Sequence, residues 1–258
     1  MRFVTPKKSL GQHFLNDISI AKKIVESLSP CQNILEIGPG TGILTQFLIK
    51  KNNNLKLVEI DNESVSYLIS ELKIDKNIIY NQDFLNLNLS KLFENNNFSI
   101  IGNFPYNISS QIVFKIIENR KLIAEMCGMF QHEVAERICE NEGSKKYGII
   151  SVITQAFYET KLLFEVSNNF FSPPPKVNSA VILFKRKKNL KINCDEKLFF
   201  SIVKLSFQQR RKILRNSLKQ INLSENLREH IIFDKRPEQL SVDQFIDLTN
   251  LVNKDLKH

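Results

Sequence analysis

Short apolar runs of strand length alternate with stretches patterned for helix through roughly the first 160 residues, and few folds accommodate such a sequence. The apolar runs cover 33–38, 55–60, 77–82, 98–103 and 123–130, and the helical patterns cover 18–28, 43–50, 63–72, 108–118 and 133–140. That order predicts βα units feeding a parallel sheet with both faces covered, an α/β architecture. Two more strands are expected at 160–166 and 180–187, joined by a loop carrying Ser172-Pro173-Pro174-Pro175. Prolines cannot continue a helix, so a hairpin is the natural connection there. The asparagine clusters at 52–54 and 95–97 read as loop tips.

From Asp195 onward the pattern is helical throughout, and the short polar stretch 188–195 marks the expected boundary between a domain at 1–188 and a smaller all-helical one at 189–258. A length of 258 residues suffices for one large and one small domain. Charge divides along the same line. The chain carries 36 Lys and Arg against 27 Asp and Glu. Residues 1–180 are nearly neutral, whereas 181–258 hold 17 basic and 9 acidic side chains. Between Lys197 and Ser224 seven basic residues occur with no acid at all, so a polyanion becomes a plausible partner. If 207–218 continues as helix, Leu214, Leu218 and Ile221 share one stripe while Lys212, Arg215 and Lys219 share another, leaving a basic face free for phosphates. Charge alone is equally compatible with a solvated helix face.

No apolar run approaches the roughly 20 residues of a membrane helix, and the basic start lacks the apolar core of a secretory signal. A cytoplasmic protein is expected. The four cysteines, Cys31, Cys127, Cys139 and Cys194, form no CxxC pair and have no histidine at ligand spacing, so they read as reduced thiols and no metal site is expected.

Chemistry enters at Glu36-Ile37-Gly38-Pro39-Gly40-Thr41-Gly42, a glycine-rich turn between the first strand and its helix. Glycines let the backbone turn tightly and approach a ligand, although they also serve ordinary turns. The position of Glu59 sharpens the reading. It ends the second strand, where a carboxylate can accept both ribose hydroxyls of an adenosine. A dinucleotide or S-adenosylmethionine would suit this geometry, but the turn lacks the G-x-G-x-x-G spacing of a dinucleotide site. Asp83, after the third strand, can accept an exocyclic amine, or simply cap a helix.

The fourth strand closes on Asn103-Phe104-Pro105-Tyr106. The exocyclic amine of adenine is a poor nucleophile because its lone pair is delocalised into the ring. The Asn103 amide oxygen and the Pro105 carbonyl can accept the two amine hydrogens, favour a pyramidal nitrogen and free that lone pair for a sulfonium methyl. Tyr106 can stack on a base that has left its own stack, and Phe171 from the proline-rich stretch is a candidate second wall, with plain packing as the alternative.

Taken together, Gly11-Gln12-His13-Phe14-Leu15-Asn16-Asp17, the Glu36–Gly42 turn, Val58-Glu59-Ile60-Asp61, Gly102 through Ser109, and Phe171 through Ala180 resemble, in order and over almost the whole chain, the ribosomal RNA adenine dimethyltransferases, specifically the bacterial small-subunit branch. The resemblance implies a class I S-adenosylmethionine-dependent methyltransferase fold, Rossmann-like with a seven-stranded sheet, and a small all-helical C-terminal domain. It places cofactor contacts at His13, Leu15, Gly38, Glu59, Asp83 and Asn103, catalysis at Asn103, Pro105, Tyr106 and Phe171, and RNA contacts at Arg210, Arg211, Lys212, Arg215 and Lys219. His13 stands where the family usually has Asn, and Phe104 where it usually has Leu. The implied activity is dimethylation of two adjacent adenines near the 3′ end of small-subunit rRNA within a pre-30S particle, by a monomer. Two other readings are a large-subunit rRNA adenine methyltransferase of the macrolide-resistance type and a non-catalytic assembly or transcription factor. The second would show a decayed tetrapeptide or turn, and here both are intact.

Overall fold

The computed structural model describes residues 4–51 and 54–257. The chain separates into two compact units, one built from 1–135 and 159–186, the other from 136–158 and 187–258.

The first unit carries a seven-stranded sheet, as expected. Strands β2 (Asn33–Ile37), β3 (Asn54–Val58), β4 (Ile79–Tyr80), β5 (Phe98–Asn103) and β6 (Ile123–Gln131) run parallel to their neighbours, and β9 (Ser179–Arg186) joins β6 antiparallel. With β7 (Tyr158–Val166) the order is β4-β3-β2-β5-β6-β9-β7, so β7 and β9 are neighbours, as the expected hairpin requires. Their connection contains more than a loop: β8 (Phe171–Ser172) leaves the main sheet and pairs antiparallel with β1 (Phe14–Leu15), a two-stranded sheet that periodicity could not reveal because each strand has only two residues. β4 is shorter than the expected 77–82 because Lys76–Ile78 form a 3-10 turn capped by Asp75. The tip expected at 52–54 lies mostly outside the described residues. Residues 92–95 form a turn that ends on Asn95 at φ 63°, and 96–97 lead irregularly into β5 at Phe98.

Helices α1 (Ile18–Ser27), α2 (Thr45–Lys51), α3 (Asn62–Ser70), α4 (Ser109–Glu118) and α5 (His132–Cys139) fall where the periodicity places them. Their starts follow capping chemistry: the Asp17 carboxylate accepts from Ile20 N at 2.8 Å, and the Asp61 carboxylate accepts from Glu63 N at 3.2 Å. In α4 the spacing of Ile112, Val113, Ile116 and Ile117 puts all four in the core. Central strands β2 and β5 are buried nearly throughout, which accounts for their unbroken apolar reading.

The second unit is helical, but it starts earlier than residue 189. Helix α6 (Ile149–Phe157), which the sequence pattern does not predict, is buried along most of its length and packs with α7 (Glu196–Gln208) and α10 (Val242–Asp255). Its run of apolar residues resembles a buried strand, which is why periodicity alone does not identify it. The return crossing falls at 186–187, close to the expected boundary.

The continuous helix expected over 207–218 is not present. α7 ends at Gln208, residues 209–213 turn, and α8 (Leu214–Ser217) is a single turn. The chain leaves helical geometry at Gln209 (φ −118°, ψ 52°), Lys212 N closes a turn onto Gln209 O at 2.8 Å, and Leu214 N donates to Lys235 O at 2.8 Å rather than to an earlier turn of helix. Leu214 and Leu218 are nonetheless buried. A further one-turn helix, α9 (Glu225–Arg228), precedes α10. Among the described residues no helix is long and apolar enough to cross a membrane.

Candidate active site

The carboxyl ends of β2, β3 and β5 open onto one cleft, where crossovers of a parallel sheet leave room for a ligand. Gly38 follows β2 with φ +65°, and an added Cβ would meet nothing within 4 Å, so its backbone borders open space. At Gly40 the space is taken, since a Cβ would come within 2.8 Å of the Phe14 ring. Glu59, 4% exposed, is fixed from both sides: Gly40 N donates to one carboxylate oxygen at 3.0 Å and Asp61 N to the other at 2.9 Å. Burial pushes its carboxyl up, and those two amide donors hold it back. Glu36, under the turn, is fully buried and accepts from Thr45 Oγ1 at 2.8 Å; burial pushes it up to about 8.

At the end of β5, Asn103 Nδ2 donates to the His13 carbonyl at 2.8 Å. This leaves the amide oxygen as the acceptor on Asn103. The Pro105 carbonyl accepts a long bond from Ile108 N at 3.3 Å and keeps a second lone pair. Tyr106 is pinned by its hydroxyl to Ser179 Oγ at 2.5 Å, and its ring stacks on His13 with centroids 5.5 Å apart and planes 24° apart. Phe104 is packed in, 1% exposed and edge-on to Phe130.

Residues 5–17 roof the cleft. Lys7 Nζ bonds the Asp61 carboxylate, Gln12 Nε2 reaches the same group at 3.2 Å, and Thr5 N donates to Glu63 at 3.0 Å. On the other side His13 Nδ1 donates to Pro173 O at 2.7 Å, Asn16 N donates to Phe170 O at 2.8 Å, and β1 pairs with β8. Burial alone would raise the Asp61 carboxyl, but the hydrogen bonds from Lys7 and Gln12 bring it below the usual range. Lys7, Gln12 and Asp61 lie outside the expected set. Only the position of Asp61, two residues beyond Glu59, points to its place.

Two cavities meet at the stacked His13–Tyr106 pair. The narrow one, about 50 Å³, is bordered by Gly38, Gly40, Glu59, Asn103 and Pro105 beneath the roof at 10–14. The larger, about 750 Å³, is bordered by the roof, Asn107, Gln131 and the loop Pro173 to Val177. The structure thus brings together His13, Gly38, Glu59, Asn103, Pro105 and Tyr106. It does not bring in three others. Leu15 is buried in the core. Asp83 caps a 3-10 turn, accepting from Leu85 N at 2.8 Å and Asn86 Nδ2 at 3.0 Å. Phe171, expected as a stacking wall, is 4% exposed and packs in the same core cluster as Leu15, because pairing with β1 turns it inward.

In the second unit the five basic residues expected to meet RNA do not form one free stripe. Arg210 is held by Glu238 at 2.9 Å and Ser144 O at 3.1 Å, and Arg215 by Asp234 at 2.7 Å. Arg211, Lys212 and Lys219 are exposed, with no ionic partner among the described residues.

A family model described as ribosomal RNA adenine dimethylase matches residues 4–254. The chain is 58% identical over 257 residues to Ribosomal RNA small subunit methyltransferase A of Flavobacterium johnsoniae, covering 99% of this chain and 98% of the relative. Among solved structures, a dimethyladenosine transferase from Plasmodium falciparum superposes with TM-score 0.82 at 25% identity, covering 94% of this chain and 98% of that one. The 23S rRNA methyltransferase ErmE does so with TM-score 0.69 at 26% identity, over 92% and 99%. The expected class I methyltransferase fold is therefore the observed one, and the chain belongs to the ribosomal RNA adenine dimethylase family.

Proposed function

We propose that this chain transfers methyl groups from S-adenosylmethionine to N6 of two adjacent adenines near the 3′ end of small-subunit rRNA in an assembling pre-30S particle, working in the cytoplasm as a monomer. The orientation of the Asn103 amide carries this reading. With Nδ2 committed to the His13 carbonyl, Oδ1 is left as the acceptor of a residue that borders the same cavity as Pro105 and Tyr106, and an acceptor there is what a planar amine needs in order to become pyramidal. The small-subunit branch is favoured by the 58% identity to a small-subunit enzyme over nearly the full chain.

The residues present suit the cofactor chemically. Glu59 keeps lone pairs for two ribose hydroxyls, and the open space at Gly38 admits a ligand against the backbone. Bound there, S-adenosylmethionine would supply an electrophilic sulfonium methyl. The narrow cavity is smaller than the roughly 300 Å³ lower end of small-molecule sites, but at His13 and Tyr106 it meets the larger one of about 750 Å³. Asp83 does not border the narrow cavity, but its carboxylate accepts one donor on each oxygen, as that of Glu59 does, and keeps lone pairs for the exocyclic amine of the cofactor's adenine.

On the target side, Tyr106 stacks on the everted base while Asn103 Oδ1 and the Pro105 carbonyl accept its amine hydrogens. These contacts strengthen as the nitrogen becomes tetrahedral, so they act on the transition state more than on binding. The alkylated ammonium is acidic enough to lose its proton to water, and no side chain has to act as a strong base. Arg211, Lys212 and Lys219 supply phosphate contacts in the second unit. The test is incubation of purified protein with labelled donor and undermethylated ribosomal subunits, followed by mass spectrometry of the rRNA. Two adjacent dimethyladenosines in the small-subunit RNA are expected; label in large-subunit RNA, or none, overturns the reading.

A further inference from the structure

The larger cavity has a composition that the methyl-transfer site does not account for. No carboxylate lines it. Its walls carry two lysines far apart in sequence: Lys8 from a 3-10 turn at the start of the roof and Lys176 from the proline-rich loop. Both are exposed, and neither has an ionic partner among the described residues. The neighbouring Lys7 differs, since it is committed to Asp61 and Glu63. The same cavity is bordered by apolar Pro173, Pro174, Pro175 and Val177, the stacked His13–Tyr106 pair, and the amide side chains of Gln12, Asn107 and Gln131. Stacking surface, amide groups for base edges and unpaired cations together suit a nucleotide strand with its bases turned out, because duplex RNA presents phosphates without unstacked faces.

We propose that Lys8 and Lys176 hold phosphates of the single-stranded RNA segment flanking the target adenine, so that this cavity selects an extruded strand. The inference rests on the RNA substrate of the proposed function. Lys8 is held by the roof, which is tied through Lys7 to Asp61 and through Asn103 to the catalytic strand; Lys176 is held by the loop that His13 grips through Pro173. The ribose-phosphate chain would therefore be positioned by the same segments that orient the acceptor amide. This is a positioning role, and its signature should lie in substrate engagement.

The test uses the full chain and a short unstructured oligoribonucleotide containing the two target adenines. In the K8Q/K176Q variant the slope of log affinity against log salt should flatten by about 1.4, near 0.7 for each single-strand phosphate that is no longer neutralised. KM for RNA should rise, kcat at saturating RNA should stay within about twofold, and affinity for S-adenosylmethionine should not change. K8R/K176R should restore the slope. K50Q/K91Q, which removes two exposed charges outside the cavity, should leave it alone. A wild-type slope in K8Q/K176Q, or an equal flattening in K50Q/K91Q, overturns the proposal. Failure of the wild-type protein to methylate ribosomal subunits would instead overturn the proposed function, so the two failures are distinguishable.

Discussion

Phe104 occupies space that two glycines leave for it. Gly102 and Gly128 face each other in the β5–β6 register, and a Cβ on Gly128 would stand 2.1 Å from Phe104 Cε2. The ring fills the space that the two missing side chains leave. Gly128→Ala is therefore expected to cost about 1–3 kcal/mol by overpacking, and Phe104→Leu should recover most of that loss in the double variant; denaturant unfolding of the four proteins in the cycle checks it. The two buried carboxyl groups make separate predictions. Glu36 has an ordinary carboxyl value when unfolded, 4.5, and about 8 when folded, so the folded state holds its proton more tightly. Its contribution to stability is complete below 4.5 and is lost as pH rises toward 8, with a slope of up to about 1.4 kcal/mol per pH unit. Glu36→Gln should flatten that decline in unfolding curves at pH 5, 7 and 9. Glu59→Ala should weaken S-adenosylmethionine binding by about 1.5–3 kcal/mol, the scale of hydrogen bonds to a charged group, and calorimetry on the folded variant measures it. Unchanged affinity would remove Glu59 from the site.

The roof at 5–17 behaves as an element although only two of its residues are strand. Asp61→Asn keeps the cap on α3 but weakens the tie to Lys7, so cofactor dissociation should quicken severalfold and amide protection at 10–14 should fall; stopped-flow release and hydrogen exchange report the two effects. In the second unit the separation of free from committed cations leads to a contrast. Replacing Arg211, Lys212 and Lys219 with Gln should flatten the salt slope of RNA binding by about 0.7–0.9 for each phosphate left without its cation, whereas Arg215→Gln should leave the slope unchanged and shift stability by about 1 kcal/mol or less, since its pair with Asp234 is exposed. Long periodic elements such as α4, and unbroken apolar strands such as β5, are legible in the sequence because burial imposes the pattern directly. The β1–β8 pair is not, since two residues carry no period, and the break after Gln208 is not, since the residues beyond it keep an apolar spacing while Leu214 N bonds Lys235 O from a distant segment. In the cleft, Gly38, Glu59 and Asn103 can be read from motif spacing. Lys7 and Gln12 cannot, because their partner, Asp61, lies some fifty residues away.

At the scale of the whole molecule, neither unit is a continuous stretch of chain. Truncation after residue 188 would keep α6 and delete α7 and α10, the helices that bury it. Such a fragment is expected to expose the apolar face of α6, to bind a hydrophobic dye and to aggregate, whereas a cut that respected a simple two-domain order would leave a soluble, cooperatively folding protein. Light scattering and thermal melts of the fragment separate these outcomes. The pairing of Phe14–Leu15 with Phe171–Ser172 bears on how the protein is made. At about 5–20 residues per second on the ribosome, the partner strand emerges on the order of ten to thirty seconds after the first, and β9 follows it. Late in that interval the nascent chain has its glycine turn, Glu59 and the ties of the roof to Asp61, Glu63 and Asn103, but not the loop that grips His13 or the strand that pairs with β1. A polypeptide stalled before this point is expected to be catalytically silent, because one wall beside His13 and Tyr106 is built by a segment some 160 residues downstream of the roof it holds.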